Sequence, residues 1–187
     1  MTLLEMKKKV LALIEEVSQT EDKLTDDPDI EEKINYVVNQ VQFELARIKK
    51  IPAIKTEKIT EENLTLSLEK IENFYQLDGL QFKNEDGEET DFVLFGNIAE
   101  FDEPGTAKIF YYKYPEKITD TTPDTYEFEL SNDVLEIMPY GVAADILKSD
   151  VSNGYGQIYA QRYETMLQRL DPRHSTGLIY IDGGEMI

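Results

Sequence analysis

Among residue types that do acid–base or nucleophilic chemistry, this sequence offers one histidine, no cysteine and 38 carboxylates. His174 follows Pro172-Arg173 near the end of the chain. A general base needs a positioned partner and a pocket, and neither is legible around it, so it reads as a solvated tail residue. The carboxylates are so numerous that close pairs arise by chance. One stretch, FKNEDGEETDFV, carries the Asp86-Gly87 pair of a calcium-loop pattern. Aligning Gly87 with the required glycine puts Phe82 at the first ligand position and Val93 at the last, and neither can coordinate an ion. A hairpin turn accounts for it better. There is no phosphate-binding glycine loop, nucleophile elbow or His-Glu-x-x-His pattern, and NGYGQ opens a helix with no strand before it. The residues imply no catalytic centre, no metal and no cofactor.

Two further groups invite a binding chemistry. Tyr111, Tyr112 and Tyr114 fall in one β-type run, which places Tyr112 and Tyr114 on one face and Tyr111 on the other. A base-stacking platform uses such aromatics but also needs cations, and only Lys108, Lys113 and Lys117 stand near. Core packing with phenolic groups at the rim is the simpler reading. Arg162 and Arg169 lie seven apart and share a helix face, with Arg173 beyond them, so they read as a solvated face or as partners for an acidic neighbouring copy.

Charge sets a boundary on partners. The 187 residues hold 19 Lys and Arg against 38 Asp and Glu, a formal charge of −19. Residues 57–130 alone contain 6 basic and 19 acidic side chains. Gripping nucleic acid depends on Lys and Arg displacing counterions from phosphates, so such a segment repels DNA; a surface past which DNA slides would be acidic for the same reason. Hydrophobic residues at 41% and charged residues at 30% are an ordinary globular balance. No apolar run reaches bilayer length, and the lysines of MTLLEMKKKVLALIEEV lie inside an amphipathic pattern, so neither a signal peptide nor a span is expected. Without cysteine there are no disulfides, which fits a reducing compartment, and the Asn63-Leu64-Thr65 sequon reads as chance.

The elements that position these residues follow from periodicity and caps. Thr2 with Glu5 makes a capping box before a helix running to about Ser18. After QTEDKLTDD, Asp27 caps and Pro28 suits the first position of a second helix, which ends before Pro52. From about Lys55 to Leu130 the pattern shifts to short aromatic-rich β runs: IENFYQL, DFVLFG, NIAEF, AKIFYYKY and YEFEL. Turn signals at Asp78-Gly79, Asp86-Gly87 and Pro104-Gly105 separate them. Ser131 then opens a helix apolar nearly all round, with Pro139 past its first turn, where it predicts a kink. After KSDVSNG, Tyr155 to Leu170 make a last amphipathic helix, stopped by Asp171-Pro172. The expected fold is α+β: a helical bundle from residues 1–54 and 131–172, an inserted small antiparallel sheet or barrel at 55–130, and a tail at 173–187. Gly141, Ala143, Ala144 and Leu147 are candidate packing positions, against another subunit or the inserted subdomain.

The stretch from Tyr111 to Leu170, a tyrosine-rich strand and Pro115 before an acidic strand, an Ala-containing helix and a final helix with aromatic spacing, resembles the closing section of tailed-bacteriophage head-to-tail adaptor (connector) proteins. The N-terminal helical pair agrees with that family's order of elements. The resemblance implies a non-enzymatic virion protein, made in the host bacterial cytoplasm. It would form a homo-oligomeric ring under the portal protein, extend the DNA channel without binding DNA specifically, and receive a tail or stopper protein. It further implies a portal-docking role for the tail residues Leu178, Ile179, Tyr180, Ile181, Asp182, Gly183 and Gly184, a short apolar run before glycines that suits addition to a sheet edge; a tail folded on its own domain is the other reading. A monomeric acidic module whose β insert engages a basic partner is the alternative function, and an enzyme for a small polar substrate a third.

Overall fold

The first helix, α1 (Leu3–Leu13), starts as the sequence dictates: the Thr2 hydroxyl accepts from Glu5 N–H while the Glu5 carboxylate accepts from Thr2 N–H at 2.9 Å. It stops five residues earlier than the apolar spacing suggests, because Glu15 adopts a left-handed φ of 61°. The computed structural model describes residues 1–20, 23–148 and 154–170. Helix α2 (Pro28–Ile48) has Pro28 in its first turn and the Asp27 carboxylate accepting from the Asp29 and Ile30 amides. Helices α3 (Asn132–Leu147) and α4 (Gly154–Arg169) follow late in the chain, and α3 is assigned as one helix through Pro139.

Six strands lie between these helices: β1 (Ile51–Ile59), β2 (Thr65–Ser67), β3 (Phe74–Asn84), β4 (Phe92–Phe95), β5 (Ile98–Phe101) and β6 (Gly105–Lys113). A single 3-10 turn, Leu68–Lys70, separates β2 from β3. They form two three-stranded antiparallel sheets, of order β1-β6-β3 and β2-β5-β4. The chain divides into two units, one from Met1–Ile51 with the described residues after Pro115, the other from Pro52–Tyr114.

The expectation of a helical bundle carrying a small inserted sheet or barrel is therefore overturned. Strand occupies about 28% of the structure beside about 41% helix, in two sheets with a core of their own. That core contains Ile59, Leu68, Ile71, Leu80, Phe82, Ala99, Phe101, Ala107, Ile109 and Tyr111. Its rings meet closely: Phe82 and Phe101 centroids lie 4.4 Å apart, and Phe74 stacks on Tyr111 at 5.8 Å. The tyrosine-rich run is thus core and rim, with Tyr111 and Tyr112 buried and Tyr114 against Tyr75.

Two local expectations also change. Asp78-Gly79 is not a turn but lies inside β3, where the register with β6 shifts between Leu77 and Gly79; a bulge uses glycine as readily as a turn does. The run YEFEL is not a strand. Tyr126 O and Asp124 O accept from the Leu3 and Leu4 amides at 2.8 and 3.0 Å, and Phe128 N–H donates to Met1 O. This segment thus supplies acceptors for first-turn amides that α1 cannot satisfy itself, and Lys7 pairs with Asp124 at 2.9 Å. Phe128 and Leu130 join Leu3, Met6, Val38, Leu45, Val134 and Met138 in the core of the helical unit. Within that core Gln42 is fully buried, its side-chain amide donating to Glu116 O at 2.9 Å and to Asn39 Oδ1 at 3.0 Å. Asn39 Oδ1 in turn accepts from Ile118 N–H, so a polar clamp holds residues 116–118 on α2.

Candidate functional site

Helix α4 is held on the helical unit through close approach to α3. Gly141 leaves room for the Tyr163 ring: a Cβ at 141 would stand 2.8 Å from Tyr163 Cε2. About two turns away, near the start of α4, Gly156 lies beside Leu147, whose Cβ would be 3.2 Å from a side chain there. Of the candidate packing residues, Gly141 and Leu147 therefore face α4 of the same chain, Ala143 is fully buried and Ala144 is half-buried. The tail candidates Leu178, Ile179, Tyr180, Ile181, Asp182, Gly183 and Gly184 lie outside the described residues, as do Arg173 and His174.

Beside this contact, α1, α3 and α4 enclose an open groove of about 550 Å³. Ala12, Leu13, Pro139, Tyr140 and Met166 give it an apolar floor, and Lys9, Glu136 and Arg162 stand at its rim. The Arg162 guanidinium sits over the Tyr140 ring at 4.3 Å, which holds a cation at the edge of apolar surface. Tyr159 donates its hydroxyl proton to Leu13 O and so ties α4 to the end of α1. Arg162 and Arg169 share one face, as their spacing requires, and that face continues past the groove through Ile158 and Thr165.

On the β unit, β4 and β5 form a hairpin with register Phe92↔Phe101, Val93↔Glu100, Leu94↔Ala99 and Phe95↔Ile98. Gly96 takes φ 59° at the first central turn position, where a type II′ turn wants glycine, and Asn97 donates to Glu69 Oε1 at 3.0 Å. Alternation sends Phe92, Ala99 and Phe101 to the core side. Val93, Phe95 and Ile98 are left outward together, at 64%, 84% and 46% exposure. Three exposed apolar side chains thus stand side by side on one face of the hairpin. Sequence reasoning took the same residues only as strand. The signal was the unbroken run FVLF before glycine, too apolar for a strand with one solvated face.

The Asp86-Gly87 loop is a turn, as expected: Gly87 has φ 85° and Asn84 Oδ1 accepts from Glu88 N–H at 2.9 Å. Among the described residues no group of three or more His, Cys, Asp or Glu side chains is arranged to hold a metal ion. Nor is any helix there long and apolar enough to cross a membrane.

Two phenols give the helical unit an alkaline limit. Burial pushes the Tyr126 phenol up to about 12, with Glu129 and Glu116 acting in the same sense. Burial likewise holds the Tyr163 phenol well above its ordinary value, aided by Glu44 and Asp145. An unfolded tyrosine ionises near 10, so these neutral phenols stabilise the fold fully below pH 10, and the contribution is lost as pH rises toward 12. Urea midpoints measured at pH 8 and pH 11 should fall less for the double substitution Tyr126→Phe, Tyr163→Phe than for the parent chain. An equal fall would show that other groups set the alkaline limit. No protein-family model matches this chain, and no curated protein matches it.

Proposed function

We propose that this chain is a non-enzymatic structural adaptor of the head-to-tail junction of a tailed-phage virion, assembling as a ring under the portal. The observation that carries the reading is the presence of two unlike exposed surfaces, the rimmed groove of the helical unit and the apolar hairpin of the β unit. A ring closed by head-to-tail contacts requires two different patches per copy, whereas a two-fold dimer requires only one. The resemblance of residues 111–170 to head-to-tail adaptors supports the same assignment. The net charge of −19, repeated round a ring, suits a channel past which DNA moves without being held. The tail Leu178–Gly184 is the segment assigned to the portal, and the ring's far side to a tail or stopper protein.

Native mass of the purified chain, alone and mixed with portal protein, tests this. A monomer or small oligomer alone that converts to a ring-sized complex with portal is the expected result. A chain that never associates with portal would remove the adaptor reading. The alternative is an acidic monomeric module: Pro52–Tyr114 holds 6 basic and 14 acidic side chains, and a basic partner captured by that unit, with no portal binding, would favour it.

A further inference from the structure

We propose that the β4–β5 hairpin of one copy seats in the α1–α3–α4 groove of a second copy, with Phe95 as the anchor. The inference deepens the adaptor reading by naming the two surfaces that join successive subunits, and it rests on that reading for the ring.

Each surface has what the other lacks. The hairpin presents Val93, Phe95 and Ile98 on one face, with Phe95 beside the turn and the most exposed of the three. Strands of four residues give it a reach of roughly 13 Å. The groove is open, about 550 Å³, and floored by Ala12, Leu13, Pro139, Tyr140 and Met166, so it can take one aromatic ring with the flanking aliphatic side chains. A central aromatic anchor with a polar rim is the usual anatomy of a productive contact.

Charge selects this pairing over the symmetric one. Glu100 stands opposite Val93 on the outward face of the hairpin, Glu69 is bonded to the turn residue Asn97, and the exposed Asp91 precedes β4. Two hairpins set face to face would bring these carboxylates together, whereas like charges across an interface are unfavourable. The groove offers Lys9 and Arg162 at its rim against the single carboxylate of Glu136, and the exposed Lys8 lies beside Lys9. Arg162, already placed over Tyr140, can meet Glu100 without giving up its ring. The contact is heterologous, so it propagates from copy to copy and closes when the rotation allows.

The cysteine-free sequence makes the test direct. Ile98→Cys on one batch and Ala12→Cys on another, mixed at high concentration under mild oxidation without portal, should give a mixed disulfide. The control partner is Thr121→Cys, an exposed position away from the groove. The Ile98→Cys and Ala12→Cys pair should exceed the control pair by about ten-fold, equivalent to about 1.4 kcal/mol of association. Adding Phe95→Asp to the Ile98→Cys chain should remove the excess, and raising the salt concentration should reduce it. Since Phe95 is exposed, that substitution leaves the fold intact, which circular dichroism verifies. Equal yields with the control, or an excess that survives Phe95→Asp, would overturn the proposal. An excess seen only after deletion of residues 171–187 would also overturn it, because the chain's own tail would then be the groove's occupant. If the mixed disulfide forms and portal binding fails, the contact stands and the adaptor reading falls. The opposite pair of results leaves the adaptor reading and removes the contact.

Discussion

Phe82→Ala should melt the β unit while the helices remain folded. Phe82 is 2% exposed, its ring lies 4.4 Å from that of Phe101, and its Cζ would be 2.7 Å from a Cβ at Gly105. The ring therefore fills the space between β3, β5 and the start of β6. Truncating a buried phenylalanine costs about 3–5 kcal/mol, through lost burial and the cavity left behind. Such a loss is a large share of the stability of a unit of this size. The ten buried residues of this core share no member with the core of the helical unit. The chain enters the β unit at Ile51-Pro52 and leaves it at Tyr114-Pro115, and residues before proline favour extended backbone. Hydrogen exchange should show the amides of Phe74–Asn84 and Gly105–Lys113 losing protection, with those of Pro28–Ile48 retained. A single coincident loss across both units would show that they fold as one cooperative body.

The second large effect is expected from Gly141→Leu. Three atoms of the Tyr163 ring stand 2.8, 2.9 and 3.1 Å from where the new Cβ would lie, the first two closer than real contacts allow. A ring fixed between helices cannot yield as the tip of a flexible chain does, so α4 must move away from α3. Overpacking of this kind costs about 1–3 kcal/mol. A leucine, which also directs three further carbons at the ring, belongs at the upper end. The thermal midpoint should fall, and protection should be lost first in Gly154–Arg169, because Tyr163 is the buried residue of that helix. Gly154→Ala is the matched control: nothing lies within 4 Å of its Cβ position, so its midpoint should hold or rise slightly. If Gly141→Leu matched the parent chain, the close α3–α4 approach would not be a source of stability. Ala144, half-buried, is a milder position than Gly141.

Local chemistry made the helices legible. The Thr2 and Glu5 capping box, Pro28 behind the Asp27 cap, and the three-and-four spacing of α2 act within a turn or two of chain, so their signals survive in sequence. The strands were read less well because pairing joins residues far apart. In β1 burial alternates cleanly, but Lys55 and Glu57, half-exposed and paired with each other at 2.7 Å, take the less exposed side after Ala53, so no apolar alternation shows in the sequence. Asp78-Gly79 became a bulge because β6 lay opposite with one residue fewer. YEFEL had a strand's alternation, but the partner waiting for it was the amide-rich start of α1.

Composition alone determined that this chain has no thiol, a single histidine and twice as many acidic as basic side chains. Neither candidate surface was read from the sequence, and only the apolar run FVLF hinted at the second. The groove brings Ala12, Tyr140 and Arg162 together from three helices. The hairpin became a surface only when its sheet formed and Phe92, Ala99 and Phe101 took the core side, leaving Val93, Phe95 and Ile98 outward. Sequence gives each residue a hydrophobicity, but only the tertiary fold decides which apolar side chains find partners, because that depends on what the rest of the chain places opposite them.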